Sequence, residues 1–262
     1  MKAHLAGAQI LVTRPAGQSA QIARLILAAG GEPILFPALE IEPLEEAAIA
    51  AIVERLAHFD LVVFVSPNAA RAVMPNILKR GGLPVQTRVA AVGPGTVAEL
   101  KKSGVGNIIS PQQGFDSEAL IGEFSTMPFD GAKVLIVRGQ GGREFLGESM
   151  RSRGATVEYL ECYRRVMPDR DMRELLSRPG RFGVGACLAT SSSIVENLFE
   201  MAGAAGRSWL CGMAFFVPHP RVATTAFCRG VQRVFVAGNG DEALVEGMKT
   251  WFARLRPLAA NP

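Results

Sequence analysis

The 262-residue sequence lacks the long apolar runs that membrane proteins need. Its unbroken apolar stretches are short, such as Leu61–Val65 and Met213–Val217, whereas a membrane-spanning helix needs about 20 apolar residues. The first residues lead directly into the apolar run Ile10–Val12, without the longer apolar segment and cleavage site of a secretory signal. We therefore expect a cytoplasmic protein with no membrane contact.

Cysteine and histidine are too scattered to form a disulfide framework or a metal site. Cys162, Cys187, Cys211 and Cys228 show no Cys-x-x-Cys spacing, and no histidine lies at metal-ligand spacing from a cysteine or another histidine. A buried, reduced thiol is the usual state of cysteine in a protein that is not exported. We expect free and mostly buried thiols, and no metal.

Positive charge is modest and dispersed. The formal net charge is +4, no lysine- and arginine-rich run occurs, and the two tryptophans and two tyrosines do not alternate with basic residues. Basic runs and interleaved aromatic residues are typical of surfaces that bind nucleic acids. We therefore expect no nucleic-acid partner, and a small anionic ligand fits the charge better.

What the sequence does contain is an internal repeat. Residues 10–41 align without a gap with residues 134–165 at an offset of 124, and Arg14 falls on Arg138. The same offset aligns FVSPNAARAVM with LATSSSIVENL further along the chain. Self-similarity over half of the chain indicates a duplicated unit.

Apolar strand patterns alternate with helical patterns in both halves. Strands are predicted near 9–14, 33–41, 61–65, 88–92, 107–110, 133–138, 156–165, 184–189, 213–217 and 233–237. Helices of the first half are predicted near 18–29, 45–57, 67–80, 95–103 and 117–125. This alternation predicts an α/β fold of two flavodoxin-like or Rossmann-like three-layer domains, in which helices cover both faces of parallel sheets.

The predicted strand ends carry hydrogen-bond donors rather than acid–base pairs or nucleophilic triads. Ligands of such sheets bind beyond the carboxyl ends of the strands, where helix N-termini attract carboxylates or phosphates and arginines add bidentate contacts. The candidates are Arg14, Ser66, Pro67, Asn68, Gly93, Gly95, Thr96, Arg138, Gly139, Thr190, Ser191, Ser192, Pro220 and Arg221. For any single turn, plain helix capping and a solvated arginine stay the alternative.

The segment GPGTVA, which begins at Gly93, matches the glycine pattern of a dinucleotide-binding turn. However, Pro94 removes a backbone donor, and the next predicted strand ends at Ser110 rather than at an acidic residue that could bind a ribose. We interpret the turn as an anion-binding helix start. A NAD-dependent oxidoreductase stays an alternative that rests on this segment alone.

The sequence resembles the uroporphyrinogen-III synthase family along essentially its whole length. The resemblance is carried by the order and spacing of ILVTRP, FVSPNAARAV, AVGPGTVAEL, FDSEAL, VLIVRG and YLECYRR. It implies two α/β domains that are joined by a two-stranded β-ladder, with two crossings of the chain. Domain 1 would then comprise 1–35 and 166–262, domain 2 would comprise 42–157, and the linker strands would be 36–41 and 158–165. Periodicity alone would suggest a tandem cut near residue 130.

The resemblance also implies an activity. It is that of a lyase that closes the linear tetrapyrrole hydroxymethylbilane to uroporphyrinogen III, with loss of water and inversion of ring D, and without a metal or an organic cofactor. An interdomain cleft would hold this polycarboxylate substrate, and catalysis would rest on positioning and electrostatics. A monomer and transient contact with the preceding enzyme of the pathway are further expectations. A non-catalytic two-domain protein that binds an anion or a nucleotide is the alternative.

Carried over residue by residue, the resemblance points to Tyr163 and Thr96 as catalytic residues. The Tyr163 hydroxyl would hydrogen-bond the departing hydroxyl, although a lone tyrosine in a strand is usually a packing residue. Turns that match ligand-contacting turns of the family comprise Ser66, Pro67, Asn68 and Ala69, and Thr190, Ser191 and Ser192. At another hydroxyl position of the family this sequence has Pro220 and Arg221, so we expect Arg221 to pair with a substrate carboxylate instead.

Overall fold

Strands and helices alternate through the described residues, 5–177 and 184–255, of the computed structural model. The described residues up to Glu40 and from Val166 onward form unit 1, and Ile41–Arg165 forms unit 2. Every strand pair with a described register is parallel. The predicted α/β class with parallel sheets is therefore confirmed.

The strands and helices follow the predicted order. The strands are β1 (Gln9–Val12), β2 (Glu32–Leu35), β3 (Glu40–Pro43), β4 (Leu61–Phe64), β5 (Arg88–Ala91), β6 (Ile108–Ile109), β7 (Lys133–Gly139), β8 (Thr156–Val166), β9 (Val184–Leu188), β10 (Ala214–Val217) and β11 (Arg233–Val236). The helices are α1 (Ala20–Ala28), α2 (Glu46–Glu54), α3 (Pro67–Lys79), α4 (Pro94–Lys102), α5 (Ser117–Glu123), α6 (Phe145–Arg151), α7 (Met172–Ser177), α8 (Ser192–Gly212), α9 (Pro220–Cys228) and α10 (Asp241–Leu255). In the described part of the chain, the sheet of unit 1 has the order β11-β10-β9-β1-β2, and the sheet of unit 2 has the order β3-β8-β7-β4-β5-β6.

The two sheets share one strand order because the repeats exchange strands. By the sequence repeat, β1 and β2 correspond to β7 and β8, and β4, β5 and β6 correspond to β9, β10 and β11. Unit 1 combines β1 and β2 with β9 to β11, whereas unit 2 combines β7 and β8 with β4 to β6. The sheet of unit 1 thus takes two strands from one repeat and three from the other, and the sheet of unit 2 has the equivalent five strands with β3 added at its edge. A tandem cut near residue 130 would divide both sheets.

One predicted strand is wrong in extent. The apolar pattern predicts a long strand near 33–41, but the structure has two short strands, β2 and β3. Pro37 lies between them and has no N–H to donate to a ladder. The amides of Phe36 and Ala38 donate to carbonyl groups at and just after the end of β1, at 2.9 and 3.0 Å, so the chain turns away from a regular strand there.

Both passages of the chain between the units fall in β3 and β8. These strands are neighbours in the sheet of unit 2, and the divisions lie at Glu40–Ile41 and Arg165–Val166. Arg164 in β8 donates through Nε to the Glu42 carboxylate in β3 at 2.8 Å. β3 and β8 thus form one edge of the sheet of unit 2, whereas a separate two-stranded ladder between the domains and its boundaries stay predictions.

Side chains of β4 show why this interior strand of the unit 2 sheet is apolar throughout. Val62 and Phe64 pack with residues of α2 and α3, whereas Leu61 and Val63 pack with residues of α5 and α6. A parallel strand that is covered on both faces must be a continuous apolar run. Full burial of each such side chain stabilises the fold by roughly 1.5–3 kcal/mol.

Equivalent glycines end equivalent helices in the two repeats. Gly30 follows α1 and Gly154 follows α6, with φ angles of +78° and +93°. Glycine adopts this left-handed conformation without the steric cost that a Cβ brings. The two glycines coincide in the sequence repeat because each stops a helix and turns the chain into the next strand.

The four cysteines lie within the described residues and are free. Cys162 and Cys187 are buried, Cys211 is half-buried and Cys228 is exposed, so the expectation of mostly buried thiols holds for only two of them. Over residues 5–177 and 184–255, no helix is long and apolar enough to cross a membrane. The same residues contain no group of three acidic, cysteine or histidine side chains that could hold a metal ion.

Candidate active site

Three neighbouring strands of unit 2 end at turns that carry predicted site residues. β7, β4 and β5 lie side by side in parallel, and Gly139, Ser66 and Gly93 lie at or just beyond their carboxyl ends. Parallel strands end at one edge of a sheet, where ligands of such folds bind. The helices that follow also approach each other, because a Cβ added to Gly95 would lie 3.3 Å from the Pro67 ring.

Ser66 caps α3. Its Oγ accepts a hydrogen bond from the N–H of Ala69 at 3.1 Å, and Pro67 occupies the first helical position, where a missing N–H costs nothing. The Asn68 side chain accepts a hydrogen bond from Arg71 at 3.2 Å. Ser66, Pro67 and Asn68 are half-buried, whereas Ala69 is buried. The cap that the sequence predicts is therefore confirmed, while ligand contact stays a prediction.

Tyr163 lies directly beside this cap. Its side chain is buried, with an exposed fraction of 2%, and its hydroxyl oxygen lies 3.0 Å from Ser66 Oγ. The ring packs against Gly139, where an added Cβ would lie 2.5 Å from Cζ of the tyrosine. The structure thus brings together Ser66, Gly139 and Tyr163, which are far apart in the chain.

A β-bulge turns the Tyr163 ring towards Ser66. The pairing of β7 with β8 shifts after Arg138, so that Cys162 is an extra residue in β8. A bulge breaks the alternation of faces along a strand and redirects the next side chain. Tyr163 consequently packs in the same cluster as Leu160, whereas strict alternation would turn its ring to the face where Tyr159 packs.

The bulged residue itself has an inert thiol. Burial raises the pKa of Cys162 to about 12, so the thiol is protonated at neutral pH. Its Sγ donates to the Arg138 carbonyl at 3.4 Å. Since the thiolate is the reactive form of cysteine, Cys162 contributes packing and a weak hydrogen bond at the bulge.

Thr96 is the third residue of α4, and its side chain is buried in the first turn of this helix. It is 2% exposed, and its amide donates to the Gly93 carbonyl at 3.0 Å. Phe115 flanks the same turn, because a Cβ on Gly93 would lie 3.6 Å from its Cβ. Phe115 is half exposed and has a φ of +45°, which is unusual for a bulky side chain. It is not among the predicted site residues, since a single phenylalanine in a loop gives no signal.

An ion-pair network joins α3 to α4. Glu99 in α4 accepts from Arg71 of α3 at 3.0 Å and from Lys102 at 2.7 Å. The hydrogen bonds from Arg71 and Lys102 hold the pKa of the Glu99 carboxyl below its ordinary value. The network keeps the two helices, and therefore the turns at Ser66 and Gly93, side by side.

Arg138 is paired with carboxylates of its own unit. Its side chain contacts Glu144 at 2.7 Å and Glu161 at 3.1 Å, and the guanidinium lies 3.9 Å from the ring centre of Tyr159. The residue is buried, with an exposed fraction of 8%. These partners already satisfy much of the charge of Arg138. Its contact with a substrate stays a prediction.

Arg14 has the same kind of partner in unit 1. Its Nη1 lies 2.5 Å from Oδ1 of Asp241, the first residue of α10, and both side chains are largely buried. Thus each of the two arginines that the repeat aligns meets a carboxylate of the protein. Asp241 is thus the partner of Arg14 in the structure, and contact of Arg14 with a ligand carboxylate stays a prediction.

The hydroxyl-rich turn of unit 1 caps α8 one residue later than the repeat predicts. Ser66 aligns with Thr190, but the cap is Ser191, whose Oγ accepts from the N–H of Ile194 at 3.2 Å. Ser192 accepts from Thr225 at 2.9 Å. Thr190, Ser191 and Ser192 are half-buried, and their contact with a ligand stays a prediction.

Pro220 and Arg221 open α9. Pro220 occupies the first helical position after His219, and both Pro220 and Arg221 are exposed. An exposed arginine at a helix start is available to an anionic ligand. The expected pairing of Arg221 with a substrate carboxylate stays a prediction.

Comparison with known proteins decides the family. A family model described as uroporphyrinogen-III synthase HemD matches residues 20–246. The chain belongs to the uroporphyrinogen-III synthase family. The uroporphyrinogen-III synthase of Salmonella typhimurium is 31% identical over 244 residues, with coverage of 92% of this chain and 99% of the relative. That of Escherichia coli K12 is 28% identical with the same coverage, and that of Synechococcus elongatus is 32% identical over 84% and 86% of the two chains.

Solved structures of uroporphyrinogen-III synthases share the fold. A mutant enzyme from Thermus thermophilus superposes with a TM-score of 0.60 and 21% identity, over 94% of this chain and 98% of that one. The enzyme from Helicobacter pylori superposes with a TM-score of 0.59 and 14% identity, over 95% and 100% of the chains. The family resemblance predicted from the motifs is confirmed, while the roles of single residues stay predictions.

Proposed function

We propose that this chain closes hydroxymethylbilane to uroporphyrinogen III, with inversion of ring D and loss of water, in tetrapyrrole and haem biosynthesis. The family match over residues 20–246 is the observation that carries the proposal. The reaction is that of a carbon–oxygen lyase, and as proposed it uses neither a metal nor an organic cofactor. The substrate is a small polycarboxylate.

The proposed chemistry requires little acid–base catalysis. The terminal hydroxyl leaves with the electron pair of its C–O bond, and the pyrrole nitrogen supplies electrons that form an azafulvene. The substituted carbon of ring D attacks this azafulvene to give a spirocyclic intermediate, which reopens and closes with the ring inverted. The proton that ring D loses at closure completes the departing water. The protein must hold both ends of the chain and stabilise the leaving oxygen.

Residues at the strand ends of unit 2 are suited to these tasks. The starts of α3 and α4 carry the positive ends of the helix dipoles, which attract carboxylates. Ser66 and Tyr163 place two hydroxyl groups next to each other at the start of α3. We propose that Tyr163 and Thr96 both contribute to catalysis, and that Arg221 contacts a substrate carboxylate. That residues of both units contact one substrate stays a prediction.

The decisive experiment is an isomer assay. Fresh hydroxymethylbilane is incubated with the protein, the products are oxidised to porphyrins, and the type I and type III isomers are separated. We expect type III to predominate, whereas an enzyme-free control yields type I. Predominance of type I in the presence of folded protein would reject the function.

The alternative is a protein that binds an anion or a nucleotide without catalysis, and the family match does not favour it. Thermal shifts distinguish the candidates at low cost. Stabilisation by NAD, and none by porphyrinogens, would support a nucleotide-binding protein. We expect the reverse, since a ligand raises the melting temperature only of a protein that binds it in the folded state.

We further propose a cytoplasmic monomer that contacts the preceding enzyme of the pathway transiently. The bilane closes spontaneously in water, so a short transfer limits its loss. Light scattering after size exclusion should give a mass near the chain mass of 27.9 kDa, and a mass twice as large would contradict a monomer.

Recovery of the protein in the membrane fraction of lysed cells would contradict the proposed cytoplasmic location. The contact would be contradicted if the yield of type III isomer were the same whether this protein and the preceding enzyme are covalently linked or kept as separate proteins.

A further inference from the structure

The Tyr163 hydroxyl is a buried donor, and the structure gives it Ser66 as a partner. Only 2% of the residue is exposed, and its oxygen lies 3.0 Å from Ser66 Oγ. A buried O–H that donates to no acceptor carries the full desolvation cost of the group. The geometry permits either oxygen to donate, and with Tyr163 as the donor the buried phenol proton has an acceptor.

This assignment determines the direction of the Ser66 proton. A serine hydroxyl has two acceptor positions and one proton. One acceptor position takes the N–H of Ala69 at 3.1 Å, and the other takes the Tyr163 hydroxyl at 3.0 Å. With both acceptor positions filled, the Ser66 proton is free to donate to a third group.

Exposure favours Ser66 over Tyr163 as the group that meets a ligand. Ser66 is half-buried, whereas Tyr163 is buried. Packing also holds the phenol in place, because the bulge at Cys162 directs the ring to this face and Gly139 lies against the ring. The phenol can therefore act on a substrate through Ser66, but it has little freedom to reach one itself.

We infer that Ser66 donates the hydrogen bond to the departing hydroxyl of the substrate, and that Tyr163 is a positioning residue that acts through Ser66. The inference rests on the proposed function. Negative charge that develops on the leaving oxygen as the C–O bond breaks is stabilised by the Ser66 proton. A donor that itself accepts hydrogen bonds is polarised and strengthened, and this is the contribution of Tyr163. No proton is lost from either residue, because ring D supplies the one that completes water.

A double-variant comparison tests the inference. Ser66→Gly removes the hydroxyl but keeps a residue that is accepted at helix N-caps, and Tyr163→Phe removes only the phenol oxygen. We expect Ser66→Gly to lower kcat by about a hundredfold with little change of KM, which is a usual size for loss of such a donor. Tyr163→Phe should lower kcat by at least about tenfold. The variant with both changes should be no slower than Ser66→Gly alone, because Tyr163 then has no Ser66 hydroxyl to act on.

Two further variants separate catalysis from folding. Ser66→Thr keeps a hydroxyl with the same hydrogen-bonding capacity and should recover most of the native kcat. Asp116→Ala removes the cap of α5, in which the carboxylate accepts from Ala119 at 2.8 Å. It should lower the melting temperature while kcat stays unchanged. Circular dichroism establishes that each variant is folded.

Two results would overturn the inference and leave the proposed function standing. One is native kcat in Ser66→Gly together with a slow Tyr163→Phe, which would make the phenol the direct donor. The other is a double variant whose loss of kcat equals the product of the single losses. Type I product from the native protein would instead reject the proposed function, and the isomer assay on that protein is therefore done first.

Discussion

Gly139 and Tyr163 face each other across β7 and β8 at a distance that admits no side chain at position 139. An added Cβ would lie 2.5 Å from Cζ of the tyrosine and 2.9 Å from its hydroxyl oxygen. The residue that the repeat aligns with Gly139 is Pro15, so the requirement is specific to unit 2. The sequence predicts that Gly139 belongs to a ligand-binding turn. In the structure Gly139 also leaves room for the ring of Tyr163.

Gly139→Ala should therefore displace the Tyr163 ring from Ser66. We expect the free energy of unfolding to fall by about 1–3 kcal/mol, as is usual for overpacking, and kcat to fall by about tenfold or more because the Tyr163–Ser66 hydrogen bond is lost. Urea unfolding and the isomer assay measure the two effects. Gly122→Ala is the matched control, since a Cβ at Gly122 would meet no atom within 4 Å. Native stability and kcat in Gly139→Ala would show that the Tyr163 ring can move away from the added Cβ without loss of stability or turnover.

Tyr163→Phe and Thr96→Ala should differ in their effects on turnover. Tyr163→Phe keeps the buried ring but removes the hydroxyl that contacts Ser66, and we expect kcat to fall by about one or two orders of magnitude. Thr96→Ala should cost less. Steady-state consumption of fresh bilane measures both. Unchanged rates in folded Tyr163→Phe protein would remove this residue from the mechanism.

Stability should fall in acid partly through Glu99. Arg71 and Lys102 lower the pKa of its carboxyl from the ordinary value of 4.5. The folded state thus holds this proton less tightly than the unfolded state, so the stabilisation is complete above pH about 4.5 and is lost as the pH falls through the lower folded pKa. Urea unfolding from about pH 6 to about pH 3 should show a smaller acid loss for Glu99→Gln than for the native protein. Parallel pH profiles for the two proteins would contradict this.

Thiol reagents should distinguish the four cysteines. Cys228 is exposed and should react first, followed by the half-buried Cys211. Burial raises the pKa of both Cys162 and Cys187, and these two should react only after unfolding, since they are inaccessible and protonated. Mass spectrometry of peptides labelled with iodoacetamide measures the order. Early labelling of Cys162 in the native protein would show that the bulge in β8 opens readily.

The parallel sheets and their helices could be predicted because the physical signals are local. The run Leu61–Val65 predicts a strand covered on both faces, and Ser66 with Pro67 predicts the start of α3; both are confirmed. The apolar pattern does not predict the break between β2 and β3, although Pro37 carries the signal for it. The apolar residues on both sides of Pro37 give the pattern of one continuous strand.

The geometry of the candidate site depends on pairings that a single sequence does not encode locally. The face on which Tyr163 packs follows from an extra residue in β8, and YLECYRR contains no glycine or proline that would mark a bulge. The partner of Arg14 is Asp241, 227 residues away. Such contacts follow from the strand order of the complete sheet, whereas sequence patterns report the neighbours of each residue along the chain.

The exchange of strands between repeats has a consequence for synthesis on the ribosome. Domains of a nascent chain commonly fold in the order in which they emerge. Here β1 and β2 emerge first, but their sheet partners β9, β10 and β11 come only after all of Ile41–Arg165 has been made. Unit 2 is thus the first sheet with all of its strands available, and β1 lacks its second neighbour, β9, until unit 2 has been made.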